Sequence, residues 1–182
     1  MRIVFTVVAA AVVAAGCGGP SQPAPQTAPA APAPKAYANL AKVMRGIPFP
    51  ASNLIFDTQS NDPAAKPTES GGAGGAGGAT SAFSGVYGGW EAVENAALAI
   101  SETANLIMIP GRMCQNGRPV PNDRADFQKF AQGLADAGQA AFKAAQSKNL
   151  DAMVEVSGTV SDACAACHEV YRDKPEDKDR CM

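Results

Sequence analysis

Two cysteines and the only histidine of this chain lie together near its C-terminal end. The stretch SDACAACHEVYRDK, residues 161–174, contains Cys164, Cys167 and, directly after them, His168. Two thiols three positions apart lie about one turn apart if the segment is helical. Such a C-x-x-C-H element suits three kinds of chemistry: a structural zinc site, a redox-active dithiol, or a covalently attached haem.

The rest of the sequence favours the third. Structural zinc takes four ligands, usually as two pairs, and the sequence offers no second C-x-x-C and no second histidine. A thioredoxin-like dithiol lies near a βαβ unit, whereas this motif falls late in a helical pattern. C-x-x-C-H is the attachment signature of c-type haem: the thiols form thioethers with two vinyl groups, and the next residue directs its imidazole to the iron. We therefore predict one covalently attached haem c.

The N-terminal residues 1–17, MRIVFTVVAAAVVAAGC, predict an export signal. A basic start, a short apolar run and a small-residue exit are typical of one, and the run is shorter than the about 20 residues that span a bilayer. AAGC is similar to a bacterial lipobox, with Ala14 where leucine is usual, so we expect lipid on Cys17. The alternative is ordinary cleavage that leaves Cys17 as a spare thiol.

Composition divides the remaining chain. Residues 18–34 contain six prolines and predict an extended tether. Residues 35–182 fit one domain, within which residues 60–89, with GGAGGAGG at 71–78, predict a long glycine-rich loop. The net charge of −2 gives no indication of nucleic-acid binding, which usually needs a clustered basic face.

Cys114 and Cys181 are the two cysteines left over. An exported protein meets an oxidising compartment, so we expect a disulfide between them, which would close a long loop and contribute about 2–4 kcal/mol. The alternative is two unpaired thiols.

Four segments show helical periodicity, and almost nothing predicts strand. The first is KAYANLAKVMRGI, residues 35–47, with Tyr37 and Met44 on its inner face and prolines at 48 and 50 ending it. Ser52 then resembles the cap of a short helical turn. The second segment spans about residues 90–109. Its apolar stripe consists of Val93, Ala97, Ile100, Ala104 and Ile107.

The third segment starts at a cap near Asp123 or Asp126 and ends at about Ser147. Its stripe consists of Phe127, Phe130, Leu134, Ala141 and Ala145. The fourth spans about residues 150–173, with inner positions Met153, Val156, Val160, Cys164, Cys167 and Tyr171. Four amphipathic helices with a short last connection predict an all-α, antiparallel four-helix bundle. Its alanine-rich faces leave a thin core that a large apolar group would help to fill.

The sequence resembles the class II c-type cytochromes, which are cytochrome c-prime and its low-spin, methionine-ligated relatives. CAACHEVYR, residues 164–172, matches the C-x-x-C-H-x-x-Y/F-R run of that family, near the end of its last helix. The likeness spans roughly residues 36–47 and 90–173, and excludes the signal, the tether and the glycine-rich loop. It implies covalent attachment through Cys164 and Cys167 and proximal ligation by His168.

The sixth iron position decides the function that the resemblance implies. Low-spin members use a methionine of the first helix, which corresponds to Met44 here; the alternative is that Met44 only packs. Ligation by histidine and methionine suits electron transfer, whereas an open position suits small gases such as nitric oxide. Arg45 is a candidate partner of a haem propionate.

We therefore expect a periplasmic or extracytoplasmic, lipid-anchored monohaem electron carrier rather than an enzyme. Its partners would be redox proteins and the membrane, and a homodimer is compatible with the resemblance. A rival from another class is a haem-free structural lipoprotein whose C-x-x-C closes as a local disulfide.

Overall fold

The computed structural model describes residues 33–65 and 87–182 of the chain. The regular structure of these residues is α-helical. An isolated bridge between Met113 and Pro119 is the sole extended pairing among them. None of the helices in this part of the chain combines the length and apolarity needed to cross a bilayer. The helices are α1 (Leu40–Gly46), α2 (Pro48–Asp57), α3 (Trp90–Ile107), α4 (Ala125–Ser147) and α5 (Leu150–Tyr171), followed by a 3-10 turn (Asp177–Asp179). The all-α prediction is confirmed.

The first helix begins later than its periodicity predicts. Asn39 is the N-cap of α1 and accepts a hydrogen bond from the Lys42 backbone N–H at 2.9 Å, so residues 35–38 lie outside the helix. Tyr37 is consequently 89% exposed, and its predicted place on the inner face is wrong. An asparagine cap satisfies a free N–H at this end, which apolar spacing alone does not reveal.

The prolines at 48 and 50 start a helix as well as ending one. The chain leaves helical geometry at Ile47, where φ is −123°, and α2 begins directly at Pro48. Proline is tolerated in the first turn because the N–H it lacks would have no helical partner there. Ser52 therefore lies inside α2 instead of capping it, and its hydroxyl donates to the Phe49 carbonyl at 3.1 Å.

The predicted stripe of α3 is buried along its whole length, as expected for the helix that packs against both α2 and α4. At the start of α4 the N-cap is Arg124, without a side-chain cap, so the prediction of a cap at Asp123 is wrong. Asp126 instead lies in the first turn, where a carboxylate interacts favourably with the helix dipole, and it accepts from the Phe127 N–H at 3.0 Å.

A two-residue connection joins α4 to α5. Lys148 adopts a left-handed conformation with φ of 52°, and Asn149 caps α5 by accepting from the Ala152 N–H at 3.0 Å. This tight turn brings α5 back against α4. It therefore carries the C-x-x-C-H element, at the far end of α5, towards the start of α4.

The buried side chains form two clusters. The alanine-rich cluster consists of Ala51, Ile55, Trp90, Val93, Ala96, Ala97, Ile100, Leu134, Ala137, Ala141, Ala145, Met153 and Val160. The cavity cluster consists of Val43, Ile107, Cys114, Val120, Phe127, Ala131 and Tyr171. In the alanine-rich part α3 and α4 approach so closely that a Cβ on Gly138 would lie 2.5 Å from the Ser101 backbone nitrogen.

Candidate functional site

A cavity of about 690 Å³ opens beside the cavity cluster. It is bounded by α1, α2, α4 and α5, by the end of α3 at Ile107 and the loop that follows it, and by the C-terminal tail. Five of the residues predicted for the site line it together: Met44, Arg45, Cys164, Cys167 and His168. Helix α5 supplies the last three, and α1 supplies the other two.

The α5 side of the cavity carries two free thiols and one imidazole, all partly buried. Burial raises the pKa of Cys164, and burial together with the neighbouring Cys164 raises the pKa of Cys167 to about 11. Burial, followed by the charge of Arg172, lowers the pKa of His168. At neutral pH both thiols are therefore protonated and the imidazole is neutral, which is the form of histidine that binds a metal.

The α1 side contributes a thioether. Met44 is half-buried and packs against the cavity cluster, which Cys167 also contacts from α5. Among the methionines in the described residues, Met44 alone lines the cavity. Met153 is fully buried in the alanine-rich cluster, while Met108 packs beside the cavity cluster without reaching the cavity.

Aromatic side chains make much of the wall between these two sides. Phe127 is 1% exposed and meets the Tyr171 ring edge-on at 5.2 Å between centroids, and Phe130 does so at 6.2 Å. Such edge-to-face arrangements are favourable for aromatic pairs. The wall is thus apolar and fixed, as the binding site of a large flat hydrophobic group needs to be.

Arginines lie on the polar rim of the cavity. Arg172 is neutralised by Asp173, with two N–O distances of 2.6 and 3.1 Å. Arg45 donates to the neutral amide oxygen of Gln115 at 3.1 Å. Arg180 has a buried Nε atom with no hydrogen-bond partner among the described residues. The sequence alone does not predict Arg180 as a cavity residue. Because it precedes Cys181 in the chain, the Cys114–Cys181 disulfide accounts for its position.

The C-terminal tail is tied to the loop after α3 by a disulfide between Cys114 and Cys181, whose Cα atoms are 6.5 Å apart. The Cys181 N–H donates to the Tyr171 carbonyl at 2.9 Å. The Asn116 amide donates to the carbonyls of Asp177 at 2.7 Å and Arg180 at 3.0 Å. The tail thereby forms one wall of the cavity. Cys17, the predicted lipid attachment site, lies outside the described residues.

The donor set fits a haem. Two thiols one turn apart match two thioether links, the adjacent imidazole is neutral, and the walls are apolar. The orphaned Nε of Arg180 and the Arg45 guanidinium lie at the rim, where carboxylates of such a group would meet cations. Across residues 33–65 and 87–182, no three His, Cys, Asp or Glu side chains converge on a position for a bare metal ion.

Comparison with known families agrees with this geometry. Residues 118–172, which cover α4 and α5 with the C-x-x-C-H element, match the family model described as Cytochrome C'. No curated protein and no solved structure gives a match to the chain. The family match confirms the resemblance to class II c-type cytochromes and supports a c-type haem protein with covalently bound haem c, a haem carrier or binder rather than a classical enzyme.

Proposed function

We propose that this chain is an exported monohaem cytochrome of class II type that carries single electrons. The helices would form an antiparallel four-helix bundle around one haem c. His168 and Met44 would be the two residues of the protein that bind its iron. A haem held in this way supplies a single-electron change of oxidation state at its iron.

The observation that carries this proposal is the position of Met44. Met44 and His168 are more than a hundred residues apart in the sequence. Nevertheless, Met44 on α1 and His168 on α5 line the same cavity. A thioether and an imidazole that line one apolar cavity match the ligand types of methionine–histidine cytochromes. Such a pair leaves no open iron position, which favours electron transfer over gas binding.

The other residues of the site have roles that follow from their chemistry. Cys164 and Cys167 would hold the group covalently, so that it cannot dissociate outside the cell. Burial lowers the pKa of His168, which favours the neutral imidazole that binds a metal. Arg45, whose partner Gln115 carries no charge, would pair with a haem carboxylate.

Anchoring and partners follow from the N-terminal sequence. Lipid on Cys17 would hold the protein to a membrane, and the proline-rich residues 18–34 would let the domain reach redox partner proteins. We place the protein in the periplasm or on the outer side of the cytoplasmic membrane. Electron exchange would take place at the cavity mouth.

The substitution Met44→Leu tests the proposal, because leucine keeps the apolar volume and removes the sulfur. We expect the oxidised protein to lose the methionine–iron charge-transfer band at the red end of its absorption spectrum, and its reduction potential to fall. Met108→Leu is the matched control, since Met108 packs against the same cluster outside the cavity. Its spectrum should equal that of the wild type.

Two outcomes contradict the proposal at different levels. A high-spin wild-type spectrum that changes when nitric oxide is added would replace electron transfer by gas binding, with Met44 as a packing residue. A colourless protein from cells able to mature c-type haem would favour the haem-free structural lipoprotein.

A further inference from the structure

We propose that Arg180 is a second anchoring residue for a haem carboxylate, and that the Cys114–Cys181 disulfide holds it in position. The inference rests on the haem of the proposed function and assigns a new residue to that site. In chemical terms, the disulfide-tied tail places a guanidinium at the cavity that Cys164 and Cys167 of α5 also line.

The Arg180 side chain is only partly committed within the protein. One terminal nitrogen pairs with Asp177 across the turn of the tail, whereas the Nε atom is buried and finds no acceptor within residues 33–65 and 87–182. A buried donor without a partner costs free energy of desolvation. A carboxylate oxygen at the rim of the cavity would satisfy this atom, and charge-assisted hydrogen bonds of this type are among the strongest in proteins.

The other rim arginines leave room for this role. Arg172 already makes a bidentate contact with the Asp173 carboxylate. Arg45 approaches from α1 and is bonded to Gln115 of the loop. Glu169 and Asp177 also line the cavity, so an additional carboxylate there would meet repulsion unless cations balanced it. Among the described residues that line the cavity, Arg45 and Arg180 are the cations without a bidentate carboxylate contact.

The backbone around Arg180 is fixed from both sides. Asn116 holds the carbonyls of Asp177 and Arg180, and the next residue is both disulfide-bonded and hydrogen-bonded to Tyr171. The tail would otherwise be a short irregular end, which is usually mobile unless it is tied down. The disulfide therefore acts as a positioning device for the guanidinium.

The test compares Arg180→Gln with Lys178→Gln in the matured holoprotein. Both variants remove one positive charge from the same tail, but Lys178 pairs with Glu176 and does not line the cavity. Loss of a cation near the iron favours the oxidised state. At the wild-type midpoint potential, Arg180→Gln should raise the oxidised-to-reduced ratio roughly twofold to fivefold. Lys178→Gln should leave the ratio close to one, and Arg180→Lys should restore most of the wild-type value.

A double-mutant cycle tests the part of the disulfide. Cys114→Ser with Cys181→Ser should lower the potential to a similar extent, and adding Arg180→Gln to that variant should change it little further, because coupled residues are not additive. Fully additive shifts would overturn the positioning role. Equal potentials for Arg180→Gln and Lys178→Gln would overturn the role of Arg180 itself. Both results require attached haem, whereas a protein with unmodified Cys164 and Cys167 would instead contradict the proposed function.

Discussion

The two apolar clusters of this molecule differ in how completely their own side chains fill the space between the helices. The alanine-rich cluster fills itself, because its small side chains and Gly138 let α3 and α4 come into close contact. The cavity cluster contains the buried rings of Phe127 and Tyr171 and yet borders about 690 Å³ of open space. The comparison indicates that the protein's own side chains fill the alanine-rich cluster. The cavity cluster instead leaves room for a further group, and the Cys114–Cys181 disulfide closes this end.

The largest effect should come from removing the attachment points, with Cys164→Ser and Cys167→Ser together. The cavity would then lack the group that fills it, and we expect the free energy of unfolding to fall by roughly 3–5 kcal/mol, as for large core truncations. Amide hydrogen exchange should show the loss of protection around the cavity cluster, with α3 and α4 near Gly138 remaining protected. A cooperative melt at the holoprotein temperature would contradict this prediction.

The second prediction concerns the alanine-rich part of the helix packing, where α3 and α4 come into close contact. Gly138→Ala would place a Cβ 2.5 Å from the Ser101 nitrogen, and backbone cannot move aside as a flexible side chain can. We expect a loss of about 2–3 kcal/mol in the free energy of unfolding from this overpacking. Gly133→Ala, on the same helix with open space around it, should instead gain about 0.5–1 kcal/mol from helix propensity. Thermal unfolding of the two holoproteins makes the comparison.

The haem spectrum should be unchanged in both glycine variants, since Gly138 and Gly133 do not line the cavity. Equal stability of the two variants would show that α3 and α4 are not in close contact, and would remove the contrast between the two clusters.

The smallest effect is expected in the pH dependence of the free energy of unfolding, through Tyr171, which lines the cavity. Burial, followed by the Asp126 carboxylate, raises the pKa of Tyr171 to about 12, while an unfolded tyrosine ionises near pH 10. The folded protein therefore holds this proton longer, and the stability it contributes is present below pH 10 and is lost as the pH rises towards 12. Tyr171→Phe should flatten this alkaline decline by about 1–2 kcal/mol.

Tyr37→Phe is the control for that measurement, because Tyr37 is 89% exposed and the substitution removes a hydroxyl from the surface. Urea titrations between pH 8 and 12 provide the free energies. Identical pH profiles for Tyr171→Phe and the wild type would show that the buried hydroxyl does not couple folding to alkaline pH.

Much of this architecture could be predicted from periodicity. The stripe of α3 and the inner positions of α5 repeat at helical spacing because each helix buries a continuous face, so sequence alone locates them. The start of α1 could not be predicted in this way, since Asn39 decides it through one hydrogen bond. The full length of the helix after Pro48 likewise cannot be predicted from spacing, because proline both ends one helix and begins the next.

The residues of the candidate site likewise include some that the sequence predicts and one that it does not. Cys164, Cys167 and His168 lie within five residues of one another, so their proximity needs no fold. Met44 could be predicted as a site residue because the cytochromes that the sequence resembles use a methionine of their first helix. Arg180 reaches the cavity only through the path of the C-terminal tail, which the disulfide and Asn116 determine. Contacts of this kind depend on the irregular backbone of a loop, for which the sequence has no periodic signal.

Intact and peptide mass spectrometry of protein purified from cells that mature c-type haem tests the central claim most directly. We predict a polypeptide heavier by one haem, with the added mass on the peptide that contains Cys164 and Cys167. Unmodified thiols at both positions in such material would contradict it.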